Sequence, residues 1–490
     1  MANTGETATT TTTTTPTATT TATATLPPPS GVRLPVAVQT FLFGQFRPAL
    51  LPLLRRHYGD VFTVRMAPGN RMIVMLADPD DIRTVFSGPA SVFHAGEGNA
   101  IVGPVMGPHS VLLVDEEDHR RVRRLLMPAF HGSALRGYQN LITELAAAEA
   151  DRWPAGHVFR AHDRMHALTL EIILQVVFGV TDDQRLARLR PLVRHIANIG
   201  PMVMIGWAYP GLLRYWPWQR YVAAQRELDT LLYAEIADRR GATDLAGRDD
   251  VLSRLLRTAD ADETEPLTDA ELRDQLITLL LAGHETTATA LAWALHELTR
   301  RPAELRKAQA AADRHDNEYL TAVAKEALRL RPVVFEVARK LTEPVVVGGY
   351  RVPRGAVVAP AIGLVQTDPR HHADPGAFRP ERFLTDMPAA NTWIPFGGGV
   401  RRCLGAGFAL LEATAVLGEV LRRYDIRPDR RVPERQKARN ITLVPSRGTR
   451  IAVRPRREHG TATTNPGRPL SDAERPVSHF GEPRDAQARR

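Results

Sequence analysis

Cys403 is the only cysteine in the 490-residue chain. It therefore has no intrachain disulfide partner, no second thiol for a CxxC redox pair and no companions for a four-cysteine zinc site. It stands in Phe396-Gly397-Gly398-Gly399-Val400-Arg401-Arg402-Cys403-Leu404-Gly405, directly ahead of the apolar run Ala406 to Leu421. The glycines allow a tight loop with accessible backbone, and the helix expected from the apolar run sets its positive end beside the sulfur. A free thiol titrates near ~8.5, and a helix N-terminus with cations such as Arg401 and Arg402 is expected to lower that value and favour a metal-ligating thiolate. Taken alone, a single cysteine is more often a small buried apolar residue.

The surrounding pattern of Phe396, Gly399, Arg401, Cys403 and Gly405 resembles the haem-binding loop of the cytochromes P-450. The resemblance implies that Cys403 is the proximal thiolate of a haem iron, that Arg401 reaches a haem propionate and that Phe396 packs beside the sulfur, with Gly405 closing the loop. Thiolate ligation favours cleavage of the O–O bond of dioxygen.

A second segment with chemistry lies in 268–300. Thr268-Asp269-Ala270-Glu271 has the form of a capping box, and the apolar run after it predicts a long buried helix. Its middle reads Ala282-Gly283-His284-Glu285-Thr286-Thr287, where glycine and two threonines cost helix propensity. The family resemblance implies that this stretch crosses the haem. Gly283 would then leave room for dioxygen and for a local distortion, Thr286 would steady dioxygen, and Glu285 would relay protons from solvent. The alternative for Thr286 is a hydroxyl bonded back to its own preceding turn. His284 is given no role.

His119 and Arg123 are four apart and share a helix face. With Arg120, Arg121 and Arg124 they read as a solvated basic face. The resemblance instead assigns His119, Arg123 and, after Pro332, Arg339 to the haem propionates, and leaves Arg120, Arg121 and Arg124 as a cationic surface for an acidic redox partner. It also groups Glu326 and Arg329 with Arg382 as a charge network that braces the cysteine loop, a structural role.

The elements that must hold these residues follow from pattern. Apolar spacing predicts a helix over 37–58, and alternation around Ala67-Pro68-Gly69-Asn70 predicts a hairpin of strands near 62–66 and 72–76. Asp78-Pro79 predicts a capped helix start. Residues 93–113 read as a long irregular loop, and such loops are usually functional or mobile. Residues 134–240 read as several helices. Among them lies a patch of Met202, Met204, Ile205, Trp207, Tyr209, Tyr215, Trp216 and Trp218 that reads equally as pocket roof, plain core or interfacial contact. Residues 301–317 read as a polar stretch, in place of a segment that looks shortened against the family. Short strands are expected at 345–347 and 356–360, and a last strand pair at 441–444 and 451–453. Val333 to Phe335 and Val444-Pro445-Ser446 are expected to touch substrate.

The hydrophobic fraction of 43% suffices for a large core, and no run of some eighteen apolar residues appears, so no transmembrane helix is expected. Net charge of +9 is spread along the chain, which speaks against nucleic acid and for an acidic protein partner. Residues 1–30, rich in Thr, Ala and Pro, and residues 456–490 are expected to be disordered tails, with a haem domain over 31–455. The N-terminus lacks the basic start and apolar core of a signal peptide, so a cytoplasmic location is expected. The expected fold is mainly α with a smaller β-region enclosing haem b, since a CxxCH attachment needs two cysteines. The implied reaction is monooxygenation of a lipophilic small molecule with O2, electrons coming from an external ferredoxin and its NAD(P)H-dependent reductase. A peroxide-using relative would not need Glu285 and Thr286. The rival from another class is a non-catalytic haem-binding or gas-sensing protein.

Overall fold

The computed structural model of the protein describes residues 26–456 apart from 180–181, 262–264, 386 and 440. Most of the two expected tails lies outside the described residues. The N-terminal boundary, however, falls earlier than composition suggests. The carbonyl of Ser30 accepts from Thr63 N at 2.8 Å, and that of Pro27 accepts from Arg351 N at 3.1 Å, so 27–30 run against two strands.

The helix Asp269–Thr299 is the axis of the molecule. Its first turn carries a complete capping box, in which Thr268 accepts from Glu271 N and Glu271 accepts from Thr268 N. A helix apolar on nearly all sides must be covered on all sides. Leu276, Leu280 and Leu291 are fully buried, each stabilising by about 1.5–3 kcal/mol. Helix Ala161–Phe178 packs along it, with Thr169 Oγ1 donating to the carbonyl of His284 at 2.9 Å. The helix passes unbroken through 282–287, so the expected local distortion is not present: the i→i−4 ladder absorbs glycine and both threonines because burial along the rest of the helix offsets their propensity cost.

The cysteine loop runs into helix Ala406–Arg423, which joins helix Ser133–Asp151 and helix Asn317–Leu330 in the main core. The stretch 301–317, read as polar, contains helix Pro302–Asp313. Its Ala308, Ala311 and Ala312 form a buried stripe, and small residues of that kind carry little pattern. The long loop 93–113 also contains short elements, among them Ala95–Gly98, Ala100–Val102 and Gly103–Met106.

A smaller β-region stands beside the helices. Strands Val61–Met66 and Arg71–Leu76 form the expected hairpin, and Val357–Pro360, Arg339–Leu341 and Phe93–His94 extend it into a five-stranded sheet in that order. The expected pair at 441–444 and 451–453 does not form. Thr442–Pro445 pairs with Gln436–Arg439, whereas Arg450–Pro455 pairs with Val158–Arg160 and Tyr424–Pro428 in another sheet. Partner choice there depends on long-range contacts that alternation does not encode.

Candidate active site

In the cysteine loop, Gly399 has φ +63°, and a Cβ there would lie 2.0 Å from the carbonyl oxygen of Phe86. Only glycine permits that approach, which seats the loop on helix Pro79–Ser87. Cys403 N donates to the Phe396 carbonyl at 2.9 Å; the ring of Phe396 stands edge-on to Trp393. Cys403 is exposed on one side, yet burial by the surrounding protein pushes the thiol up, against the Gly405 N–H, Arg123 and Arg402, which act to lower it. The expected depressed thiol is thus corrected. Loop and helix supply the stabilising groups, but desolvation outweighs them.

The predicted propionate ligands come together. His119 is buried and its pKa is pushed down to about 4, first by burial and then by Arg401 and Arg123. Arg339 is buried and pushed down to about 10 by burial and by Arg401. Arg401 is also held near about 10, by burial with Arg123 adding to it and Asp115 opposing. Arg339 and Arg401 both feel one carboxylate, Asp115. Arg401 is already engaged: it donates to the carbonyls of Val111 at 3.2 Å and Val114 at 2.6 Å and to Asp115 Oδ1 at 2.5 Å. Arg123 forms no ion pair among the described residues, and Arg339 Nη1 donates only to the neighbouring carbonyl of Ala338.

On the long helix, Leu279, Ala282, Gly283, Thr286 and Ala290 are the residues left partly or fully accessible through its buried middle. They share one face at helical spacing. Thr286 Oγ1 lies on this face and donates to the Ala282 carbonyl at 2.7 Å; the back-bonded alternative is what the structure contains. Glu285 sits off the face, buried, where Thr442 Oγ1 donates to it at 3.2 Å and Arg439 Nε lies 3.8 Å away. Burial raises the Glu285 carboxyl despite both partners. A Cβ added to Gly283 would lie 3.0 Å from Ile173 Cδ1, so the glycine also admits the crossing helix. His284 Nδ1 is tied to the carbonyl of Leu280 at 2.6 Å, away from the accessible face.

The bracing network forms as expected. Glu326 and Arg329 are fully buried and bidentate, at 2.7 and 2.8 Å. Arg329 also donates to the carbonyls of Gln366, Pro375 and Ala377, while Arg382 Nε lies 3.6 Å from Glu326. The link to the cysteine loop runs through residues the sequence did not single out. Gln366 accepts from Ile394 N, and Trp393 Nε1 donates to the carbonyl of Lys325. Also missed were Asp115 and a strap in which His109, Ser110 and Val111 bond to Asp274, Thr278 and Gln275 of the long helix. Glu412, fully buried, hydrogen-bonds Thr287 and is pushed well above the carboxylate range by burial. None of these carries a local signal; each is an ordinary polar residue until the chain returns to it. Arg121, expected on a docking surface, is instead paired with Glu271, and Arg120 with Glu117. Phe335 is turned into the core against Gly363, which removes it from the expected substrate contacts.

A cytochrome P450 family model matches residues 27–452. The chain belongs to the cytochrome P450 family. It is 48% identical over 435 residues to cytochrome P450 135A1 of Mycobacterium tuberculosis, covering 88% of this chain and 96% of that one. To cytochrome P450 135B1 of Mycobacterium bovis it is 47% identical over 436 residues, 88% and 92% of the two chains. Among solved structures, a retinoic acid-bound cyanobacterial CYP120A1 superposes with TM-score 0.77 at 23% identity, over 88% of this chain and 100% of that one, which shows the fold. The haem domain of cytochrome P450DA superposes with TM-score 0.77 at 25% identity, over 89% and 99%.

As a cytochrome P450, the protein is a haem-thiolate monooxygenase, and its residues fit that cofactor. The donor set holds one thiol, and Arg123 and Arg339 form no ion pair with a described carboxylate, which suits the anionic propionates of a haem. No helix among the described residues is long and apolar enough to cross a membrane.

Proposed function

We propose that this cytochrome P450 hydroxylates or epoxidises a lipophilic small molecule. Non-covalent haem b is held through Cys403, and electrons come from a soluble ferredoxin and its NAD(P)H-dependent reductase in the cytoplasm. The observation that carries the reading is the accessible face of Leu279, Ala282, Gly283, Thr286 and Ala290 on an otherwise buried helix. It is apolar except for one hydroxyl, which suits an apolar substrate lying beside a single proton-handling group.

When bound, the haem supplies the redox chemistry and the cleavage of dioxygen. Cys403 gives up its proton to become the ligand, with the Gly405 N–H, Arg123 and Arg402 favouring the resulting charge. Arg123, Arg339 and His119 hold the propionates. Arg401 contributes charge to the same site while its hydrogen bonds fix 111–115 against the cysteine loop. Glu285 keeps a proton to higher pH than an ordinary carboxyl because it is buried, which suits an acid that delivers protons near neutrality. The Thr286 hydroxyl spends its proton on the Ala282 carbonyl and keeps its lone pairs free to accept from a water. Arg124 and Arg402, both exposed, provide the positive surface for an acidic redox partner.

The test is the absorption spectrum of the dithionite-reduced, carbon monoxide-treated holoprotein, with Cys403→Ser as control. A strongly red-shifted Soret band in the parent, lost in the variant, is expected. Normal turnover by Cys403→Ser removes the assignment. Spin-state titration with terpenoid, fatty acid and steroid panels then tests the substrate class.

A further inference from the structure

The mechanism leaves three neighbouring histidines unused. His162 and His166 stand four apart on helix Ala161–Phe178, which puts both on one face. His284 comes from helix Asp269–Thr299, packed against it. Their rings form a file. The centroids of His162 and His166 are 5.5 Å apart with planes at 86°, and those of His166 and His284 are 4.9 Å apart at 82°. Two imidazoles bound to one ion through ~2.0–2.1 Å bonds at a tetrahedral angle hold their centroids roughly 5 Å apart.

The protons are already placed for ligation. His284 is fully buried, and its Nδ1 donates to the Leu280 carbonyl at 2.6 Å. Nε2 is therefore left with a bare lone pair, and it meets no hydrogen-bond partner. A metal-ligating histidine is usually held in this way, one nitrogen donating to a carbonyl and the other on the ion. His166 Nε2 is likewise buried without a hydrogen-bond partner, while His166 as a whole is half-buried, which opens a way in from solvent. His162 Nε2 lies 3.2 Å from Thr289 Oγ1. Burial pushes His162, His166 and His284 down to about 4, about 3 and about 4, so all three are neutral at pH 7, as ligands must be.

We propose that His162, His166 and His284 form a binding site for a divalent ion of the zinc and copper class, which clamps the two helices together one residue before Glu285. The three do not yet close on an ion: among the described residues no group of three or more His, Cys, Asp or Glu side chains stands in metal-holding geometry. Closure requires His162 to leave Thr289 and the Nε2 atoms of His166 and His284 to turn onto one point. Rings already at the separation of bound ones need rotation rather than backbone movement. Arg439 and Arg194 oppose positive charge at His166 and His284. That disfavours hard ions such as magnesium, which prefer oxygen, and leaves ions that bond imidazole strongly. A water entering past His166 would complete the four positions. Neither the haem nor the substrate assignment enters the argument.

The test uses untagged full-length holoprotein, so that Cys403 is occupied, and zinc chloride in competition with a chromogenic chelator. The parent is expected to bind one zinc with micromolar affinity and to melt at a higher temperature with it. His166→Gln and His284→Gln should each weaken binding by about tenfold or more and remove the thermal shift. His166 is half-buried, so its variant is expected to fold whatever His284→Gln does, and an unchanged Soret spectrum shows that it has. Zinc-edge X-ray absorption of the parent is expected to show three nitrogen neighbours at ~2.0–2.1 Å. Absence of zinc binding by the parent overturns the proposal, as does zinc held by oxygen neighbours. Binding undiminished in His166→Gln assigns the ion to surface histidines and overturns it equally.

Discussion

Thr442 Oγ1 donates to Glu285 Oε1 at 3.2 Å, tying the acid of the long helix to a hairpin near the C-terminus. Burial raises the Glu285 carboxyl, and Arg439 and Thr442 hold it back. Thr442→Val removes one of the two restraints, so the carboxyl should keep its proton to still higher pH. If Glu285 delivers protons, activity falls as pH rises through its pKa, and Thr442→Val shifts that falling limb upward. Glu285→Gln should cost about 10²-fold in product formation and abolish the limb, as read from pH profiles of coupled turnover.

Thr286 donates to the carbonyl of Ala282, whose N–H acceptor role in the helix ladder does not depend on that bond. Thr286→Ala should therefore leave stability within about 1 kcal/mol, while NAD(P)H and O2 consumption uncouple from product. Full coupling in the variant would remove Thr286 from proton handling.

Glu326 and Arg329 are both fully buried, so replacing either alone strands a charge. Glu326→Ala or Arg329→Leu should each destabilise by about 3–5 kcal/mol, measured by denaturant unfolding, and the cysteine loop should lose its seat with them. The double replacement Glu326→Gln with Arg329→Met should recover part of the loss, since no bare charge remains.

Arg339 is buried, with Arg401 repelling it and Asp115 attracting it. Arg339→Gln should have effects of opposite sign on the two forms of the protein. The apoprotein should melt at a higher temperature, because repulsion and desolvation are relieved. The holoprotein should release haem faster to an excess of apomyoglobin. Arg123→Gln should speed haem release as well.

His94 places Nδ1 2.8 Å from Glu97 and Nε2 2.9 Å from Glu116, with Asp115 at 3.7 Å. A neutral imidazole donates from one nitrogen only, so the cation satisfies both carboxylates where the neutral form satisfies one. Burial acts to lower the His94 pKa, but Glu97, Asp115 and Glu116 outweigh it and the net shift is upward. Lys340, on the paired strand, binds Glu97, and Arg401 binds Asp115. The stabilisation is fully present below the ordinary histidine value and is lost as pH rises through the elevated one. Hydrogen exchange across 95–115 should accelerate over that window, and His94→Gln should remove the pH dependence.

The site was legible in the sequence wherever its chemistry is local. A lone cysteine among glycines and arginines, a capping box ahead of an apolar run with Glu285 and Thr286 in its middle, and Glu326 three residues from Arg329 each lie within one loop or one helix, where spacing fixes which side chains share a face. The tertiary structure decided what depends on the chain returning to itself. Whether Cys403 is stabilised as a thiolate or pushed up is a contest between local dipoles and desolvation by distant segments, and desolvation prevailed. That Gly283 also admits Ile173 depended on how two helices cross. Trp207 and Trp216 are alike in the sequence, and only packing turned one inward and left the other in solvent. Local spacing sets direction along an element; burial, and with it the sign of most electrostatic effects, belongs to the assembled fold.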